Sequence, residues 1–150
     1  MYELTLTAHS WLRWLALAAG LAATAAVAIR ESTGSARADR WGLVYTIALD
    51  LQLVLGLALH FALSPNTAVM FGGLGAAMRD PVARFWAVEH ITLMLFAVVM
   101  AHLGRVLARK AATPAAKRKG LRVCFGLSAA AMILATPWPG TTGDRPLFRV

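Results

Sequence analysis

The sequence predicts an all-α integral membrane protein, an up-down bundle of four transmembrane helices, and three observations carry that prediction. Apolar residues gather in four stretches, roughly 5–29, 42–63, 85–104 and 121–137. Each approaches or exceeds the ~20 residues that a helix needs to cross a hydrocarbon layer of ~30 Å. Hydrophobic residues make up 59% of the chain and charged ones 15%, where soluble domains carry about 25% charged residues. Lys and Arg crowd to one side of the stretches. With 150 residues largely taken up by spans, the chain is expected to form a single transmembrane domain, residues 1–150, with short loops.

Charge placement sets the orientation. Arg30, Arg37 and Arg40 lie between the first two stretches, and Arg105, Arg109, Lys110, Lys117, Arg118, Lys119 and Arg122 between the last two. The opposite side carries Arg79, Arg84, Arg145 and Arg149, while Arg13 falls inside the first stretch. Cytoplasmic loops of membrane proteins hold the excess of Lys and Arg. Both termini and the 64–84 loop are therefore expected on the non-cytoplasmic side. The basic 105–122 loop would lie on the lipid bilayer against anionic headgroups. So placed, the net charge of +8 reads as topology rather than as a nucleic-acid surface. The first stretch is too long, and Met1 to Thr7 too poor in basic residues, for a cleaved signal peptide, so it reads as an anchor. A lone cysteine, Cys124, excludes an internal disulfide and gives no support to a thiolate metal cluster.

Each span has its own face. In the first, His9, Arg13, Ala16, Gly20, Ala23 and Val27 recur at three- and four-residue intervals and share a stripe that is polar above and small below. Trp11 and Trp14 fit an interfacial aromatic belt. The polar turn Arg30–Arg40 follows. In the second span Leu49, Leu53, Gly56 and His60 share a stripe, with Asp50 and Gln52 about 80° to either side at ~100° per residue. The 64–84 loop opens with Ser64-Pro65, carries Gly72, Gly73 and Gly75, and is long enough to act as a lid over the bundle. In the third span His90, Met94, Ala97 and Ala101 align, Glu89 precedes the histidine, and His102 lies near the cytoplasmic end. The fourth span has small residues at Gly126, Ala129 and Ala130 and stops at Pro137 and Pro139.

His9, His60 and His90 fall at one depth when these spans are threaded as antiparallel helices. An ionisable side chain inside an apolar layer is costly and points to function. Imidazole is an axial ligand of haem iron, and bundle cofactor sites are built from side chains that project inward from facing helices. On this reading His90, His9 and His60 are the candidate iron ligands, and Arg13, Arg79 or Arg84 neutralises a propionate. Glu89 orients an imidazole, and the stripe Gly20, Gly56, Ala97, Ala101 leaves room for a flat macrocycle. Zinc or copper on the same three histidines is an alternative. So is a purely structural role, with imidazoles tying helices together. Asp50 at mid-span must be protonated or paired, which makes it either an interhelical tie, with Gln52 or Tyr45 as partner, or part of a proton relay. No catalytic constellation stands out.

Several strings resemble marks of a small bacterial four-helix membrane family loosely labelled cytochrome-b-like. They are His9-Ser10, Asp50-Leu-Gln52 through Gly56 to Ser64-Pro65, Arg84 through Glu89-His90, Thr136-Pro137-Trp138-Pro139 and Arg145-Pro146-Leu147-Phe148. The likeness spans nearly the whole chain in short motifs. In that family position 50 is more often histidine and position 60 aromatic, whereas this chain has Asp50 and His60. The resemblance implies a multi-pass protein of the bacterial inner membrane that binds haem b near its outer face and supports electron transfer. Quinone and other membrane-protein subunits of an electron-transfer complex are its expected partners. The second functional class is a non-catalytic accessory subunit of a larger respiratory or photosynthetic complex.

Overall fold

The computed structural model describes residues 1–28, 36–63 and 73–148. Helix α1 spans Tyr2–Ala28 and α2 spans Ala36–Ala58, continued by a wide π turn, π1, over Leu59–Leu63. Two short helices follow, α3 (Leu74–Ala77) and α4 (Pro81–Arg84). A second wide turn, π2 (Phe85–Glu89), leads straight into α5 (His90–Lys110), and α6 spans Pro114–Ala135. No strand occurs among the described residues. The expected turn around Arg30 and the Ser64–Gly72 part of the expected lid lie outside the described residues, as does Arg149.

Three segments are long and apolar enough to cross a membrane: Tyr2–Ala28, Asp39–Leu63 and Pro81–Lys110. The third begins earlier than the hydropathy suggested, because Asp80 caps a helix with Pro81 in its first turn. The Asp80 carboxylate accepts from the Ala83 N–H at 2.7 Å, and proline at that position costs no hydrogen bond. The same device at Thr113-Pro114, with the Thr113 hydroxyl accepting from Ala116 N–H at 3.1 Å, starts α6 well before the expected span at 121. Most of the expected basic 105–122 loop is thus helical, and the two helices meet across a short turn. The helix α6 spends its first turns on Lys117, Arg118, Lys119 and Arg122. Its apolar remainder is short for a full crossing, and α6 is not among the three segments long and apolar enough to span a membrane.

Contacts between the long helices run in opposite senses. Gly20 of α1 meets Tyr45 near the start of α2, and Gly56 near the end of α2 meets His9. The α5–α6 pair shows the same order, with Gly104 against Cys124 and His90 against Ala135. Along α1 and α6, Trp14 touches Trp138 while the Arg122 guanidinium reaches the Ala28 carbonyl. The result is an antiparallel four-helix ring with one basic end and one histidine end. A Cβ on Gly104 would stand 2.8 Å from that of Cys124, so α5 and α6 approach as closely as small residues allow, the packing that binds helices where no water is available to drive them together.

The core is built from alanines around a few large side chains, chiefly Tyr45, Phe125, Leu49 and Met132. The Ser128 hydroxyl donates to the Ala97 carbonyl at 2.6 Å, so the Tyr45 hydroxyl donates to Ser128 Oγ, also 2.6 Å away. This chain of bonds ties α2, α6 and α5 at the centre. The Tyr45 ring lies on Gly20, where an added Cβ would approach it to 2.7 Å. The small stripe of α1 therefore accommodates a protein side chain, and the space once assigned to a macrocycle beside Gly20 is filled. Ala97 and Ala101 are likewise packed into the core.

Candidate cofactor site

Above that core, at the histidine end, α1, α2 and α5 part around a cavity of about 590 Å³, well within the ~300–1,000 Å³ of small-molecule and cofactor sites. Its walls are mainly apolar, and His9, His60, His90, Arg13 and Gln52 all line it. The stripe Leu49, Leu53, Gly56 and His60 lines it from α2 and π1, and His90 and Met94 line it from α5. Sequence spacing placed those residues on common faces, and the fold turns those faces toward one space.

The histidines are not equivalent. The rings of His9 and His90 face each other with centroids 6.5 Å apart and planes inclined at 67°. His90 follows directly on π2, and its Nδ1 lies 2.8 Å from the Ala135 carbonyl at the end of α6. A carbonyl accepts, so Nδ1 carries the proton and Nε2 keeps its lone pair. The expected second partner of His90, Glu89, instead accepts from Arg84 Nε at 2.7 Å. That ion pair also withdraws Arg84 from the role of propionate counter-charge. His9 has its Nδ1 buried with no hydrogen-bond partner, and Gly56 makes its place: an added Cβ there would stand 3.3 Å from His9 Cε1. His60 lies on π1 and stacks edge-on against Phe61, with centroids 4.7 Å apart. Among the described residues no group of three His, Cys, Asp or Glu is close enough to hold a metal ion.

Arg13 is buried, with 6% of its surface exposed. Its guanidinium donates to the Leu147 carbonyl at 2.9 Å and stacks over Trp14 at 5.0 Å, while its Nε finds no partner. Gln52, at 5% exposure, also borders the cavity with an unpartnered Oε1. Buried polar atoms normally find a partner, at a cost of about 1–3 kcal/mol when they do not. Here His9 Nδ1, Arg13 Nε and Gln52 Oε1 are orphaned together around one space. Asp50, the other expected polar tie on α2, is not part of this group. Its carboxylate accepts from His102 Nε2 at 2.8 Å on the outer surface of the bundle, so its partner is neither Gln52 nor Tyr45.

The roof was the least legible part. Ala76, Asp80, Val82 and Ala83, from the end of the expected lid, line the cavity, as do Pro137 and Arg145 from the segment after α6. That segment folds back over α1. The Leu147 carbonyl accepts from Arg13 and from Trp14 Nε1, at 2.9 and 3.0 Å. The Phe148 ring packs on Trp14 and Trp11 with centroids 5.5 and 5.7 Å away. The Arg145 guanidinium lies 5.1 Å from the centroid of the Trp86 ring. In the sequence Arg145 reads as a flanking charge within the string Arg145-Pro146-Leu147-Phe148, and two tryptophans paired with the late Leu147-Phe148 are the signal that points to this closure. No family model, no curated protein and no solved structure matches the chain.

Proposed function

We propose that the protein is a membrane-embedded b-type haem protein, with His9 and His90 as the axial pair and the histidine end facing away from the cytoplasm. The observation that carries this reading is the pairing of those two imidazoles, edge to face with centroids 6.5 Å apart, in the wall of a mainly apolar cavity. His9 and His90 would hold the iron between α1 and α5, where the fold brings their imidazoles together with centroids 6.5 Å apart. The Ala135 carbonyl fixes the His90 tautomer by accepting from Nδ1, as carbonyls commonly do for metal-bound histidines. Arg13 and Arg145 are the cations that border the cavity, and the free Nε–H of Arg13 suits a propionate. Such a haem would supply a one-electron couple within the apolar layer. The likeness of His9-Ser10 and Glu89-His90 to the cytochrome-b-like family points the same way.

The histidine end is proposed to lie outside because Lys and Arg crowd the other end, the side that stays in the cytoplasm. His60 is assigned to the wall rather than to iron. Absorbance of the purified, dithionite-reduced protein tests the reading. A sharp haem band is expected, lost in His9→Ala and in His90→Ala and kept in His102→Ala. A protein purified without that band after expression with ample haem, or one that keeps it without His90, would overturn the assignment.

A further inference from the structure

Apart from the cavity, the described helices carry one pair of ionisable groups in their apolar middle, and that pair faces outward. Asp50 lies near the midpoint of the 25-residue segment Asp39–Leu63. It meets His102 of α5 at 2.8 Å, and each side chain keeps 49% of its surface exposed. The meeting follows from helix geometry. Side chains lean toward the N-terminus of their own helix, and α2 and α5 run in opposite senses, so Asp50 and His102 lean toward each other. Neither residue has another hydrogen bond among the described residues. One carboxylate oxygen and the imidazole Nδ1 therefore make no hydrogen bond among the described residues, on side chains that are half exposed. Ionisable groups in spans ordinarily turn to the bundle interior or to a partner.

The flanking surface is apolar and smooth, with Ile47 and Val54 on α2 and Val99 and Val106 on α5 all exposed. Copies inserted with one orientation are related by a two-fold axis along the membrane normal, the commonest oligomer symmetry. Rotation about an axis passing in front of the pair exchanges left and right. Asp50 of one copy then stands opposite His102 of the other, since the two residues sit side by side across the α2–α5 seam. The imidazole at position 102 has Nδ1 to offer, and the carboxyl group at 50 a second oxygen. Two copies thus close a ring of two carboxyl groups and two imidazoles. We infer that the α2–α5 face binds a second copy of this chain, with Asp50 and His102 as its polar centre. The inference rests on membrane insertion but not on haem.

Subunit counting in lipid vesicles made with the purified chain is expected to give two copies per particle. In a Cys124→Ser background, a Val54→Cys chain and a differently tagged Val99→Cys chain should form a disulfide-linked dimer, because the two-fold places α2 against α5 of the neighbour. Leu15→Cys with Leu134→Cys, on the exposed surfaces of α1 and α6, should not. Replacing Asp50 and His102 together by leucine should weaken dimerisation by about tenfold, the scale of two interhelical bonds. The exchanged variant Asp50→His with His102→Asp keeps the complementarity and should restore it. A monomeric wild-type chain, a dimer indifferent to both the leucine and the exchanged variants, or cross-links formed through α1 and α6 instead would each overturn the proposal. Exclusive cross-linking to a different polypeptide in native membranes would do the same, and would place an accessory-subunit contact on this face.

Discussion

A leucine at position 56 would enter the space that His9 occupies, since even a methyl group there stands 3.3 Å from the imidazole. Gly56→Leu is therefore expected to expel His9 and abolish haem retention, while Leu55→Ala, one residue away and outside the cavity lining, leaves the absorbance band in place. At Gly20 the same added carbon would meet the Tyr45 ring at 2.7 Å. Gly20→Ala should cost roughly 1–3 kcal/mol as an overpacked core, seen as a lowered midpoint of thermal unfolding in detergent. The hydrogen bonds of that ring make a further comparison. Ser128→Ala leaves the buried Tyr45 hydroxyl with nothing better than the Met132 sulfur at 3.7 Å. Tyr45→Phe leaves Ser128 still donating to Ala97. The serine variant should unfold at the lower temperature, because it breaks both bonds and leaves the buried Tyr45 O–H unmet, whereas the phenylalanine variant breaks one bond and removes the donor with it. At this scale the sequence revealed which side chains share a face: His9 with Arg13, Gly56 with His60, His90 with Met94. It did not reveal partners on other helices. Asp50 finds His102 and Glu89 finds Arg84, choices made by helix pairing and rotamer that spacing along one helix does not encode.

Among the elements, the two wide turns and the segment after α6 do most to shape the site, and neither was visible in the hydropathy. A π turn adds one residue to a turn and frequently occurs at functional positions. One holds His60 and the other ends at His90, yet a local change of phase leaves no mark in composition. Helix starts were legible in principle, as the dipeptides Asp80-Pro81 and Thr113-Pro114 carry the capping signature. The apolar runs drew attention further along instead. The closing segment is held to α1 by two donors on one carbonyl, Arg13 and Trp14 on Leu147. Ending the chain after Pro139 removes those bonds and the Phe148 stack. The cavity should then lose its ligand on the order of tenfold faster or more, as one charged and one neutral hydrogen bond imply. Transfer of haem to an excess of an apo-globin would read that rate.

For the molecule as a whole, the antiparallel order of helices was the most legible property, because alternating apolar runs and short connections allow few other arrangements. Orientation in the membrane is a matter of charge alone and can be tested directly. In a Cys124→Ser background, Lys119→Cys should resist a membrane-impermeant thiol reagent in intact cells, and Thr142→Cys should react. The reverse pattern would turn the histidine end to the cytoplasm. The segment that closes over the cavity has a further consequence, for the timing of biogenesis. His9 lies near the start of the chain, whereas Ala135, which fixes His90, ends the last long helix and Leu147, which accepts from Arg13, follows it. At ~5–20 residues per second of synthesis, His9 waits on the order of ten seconds for them. A ligand that arrives during that interval meets half a site, and one that arrives after closure meets a roof. A ligand that binds before Leu147 docks on Arg13 thus meets a cavity without that part of its roof.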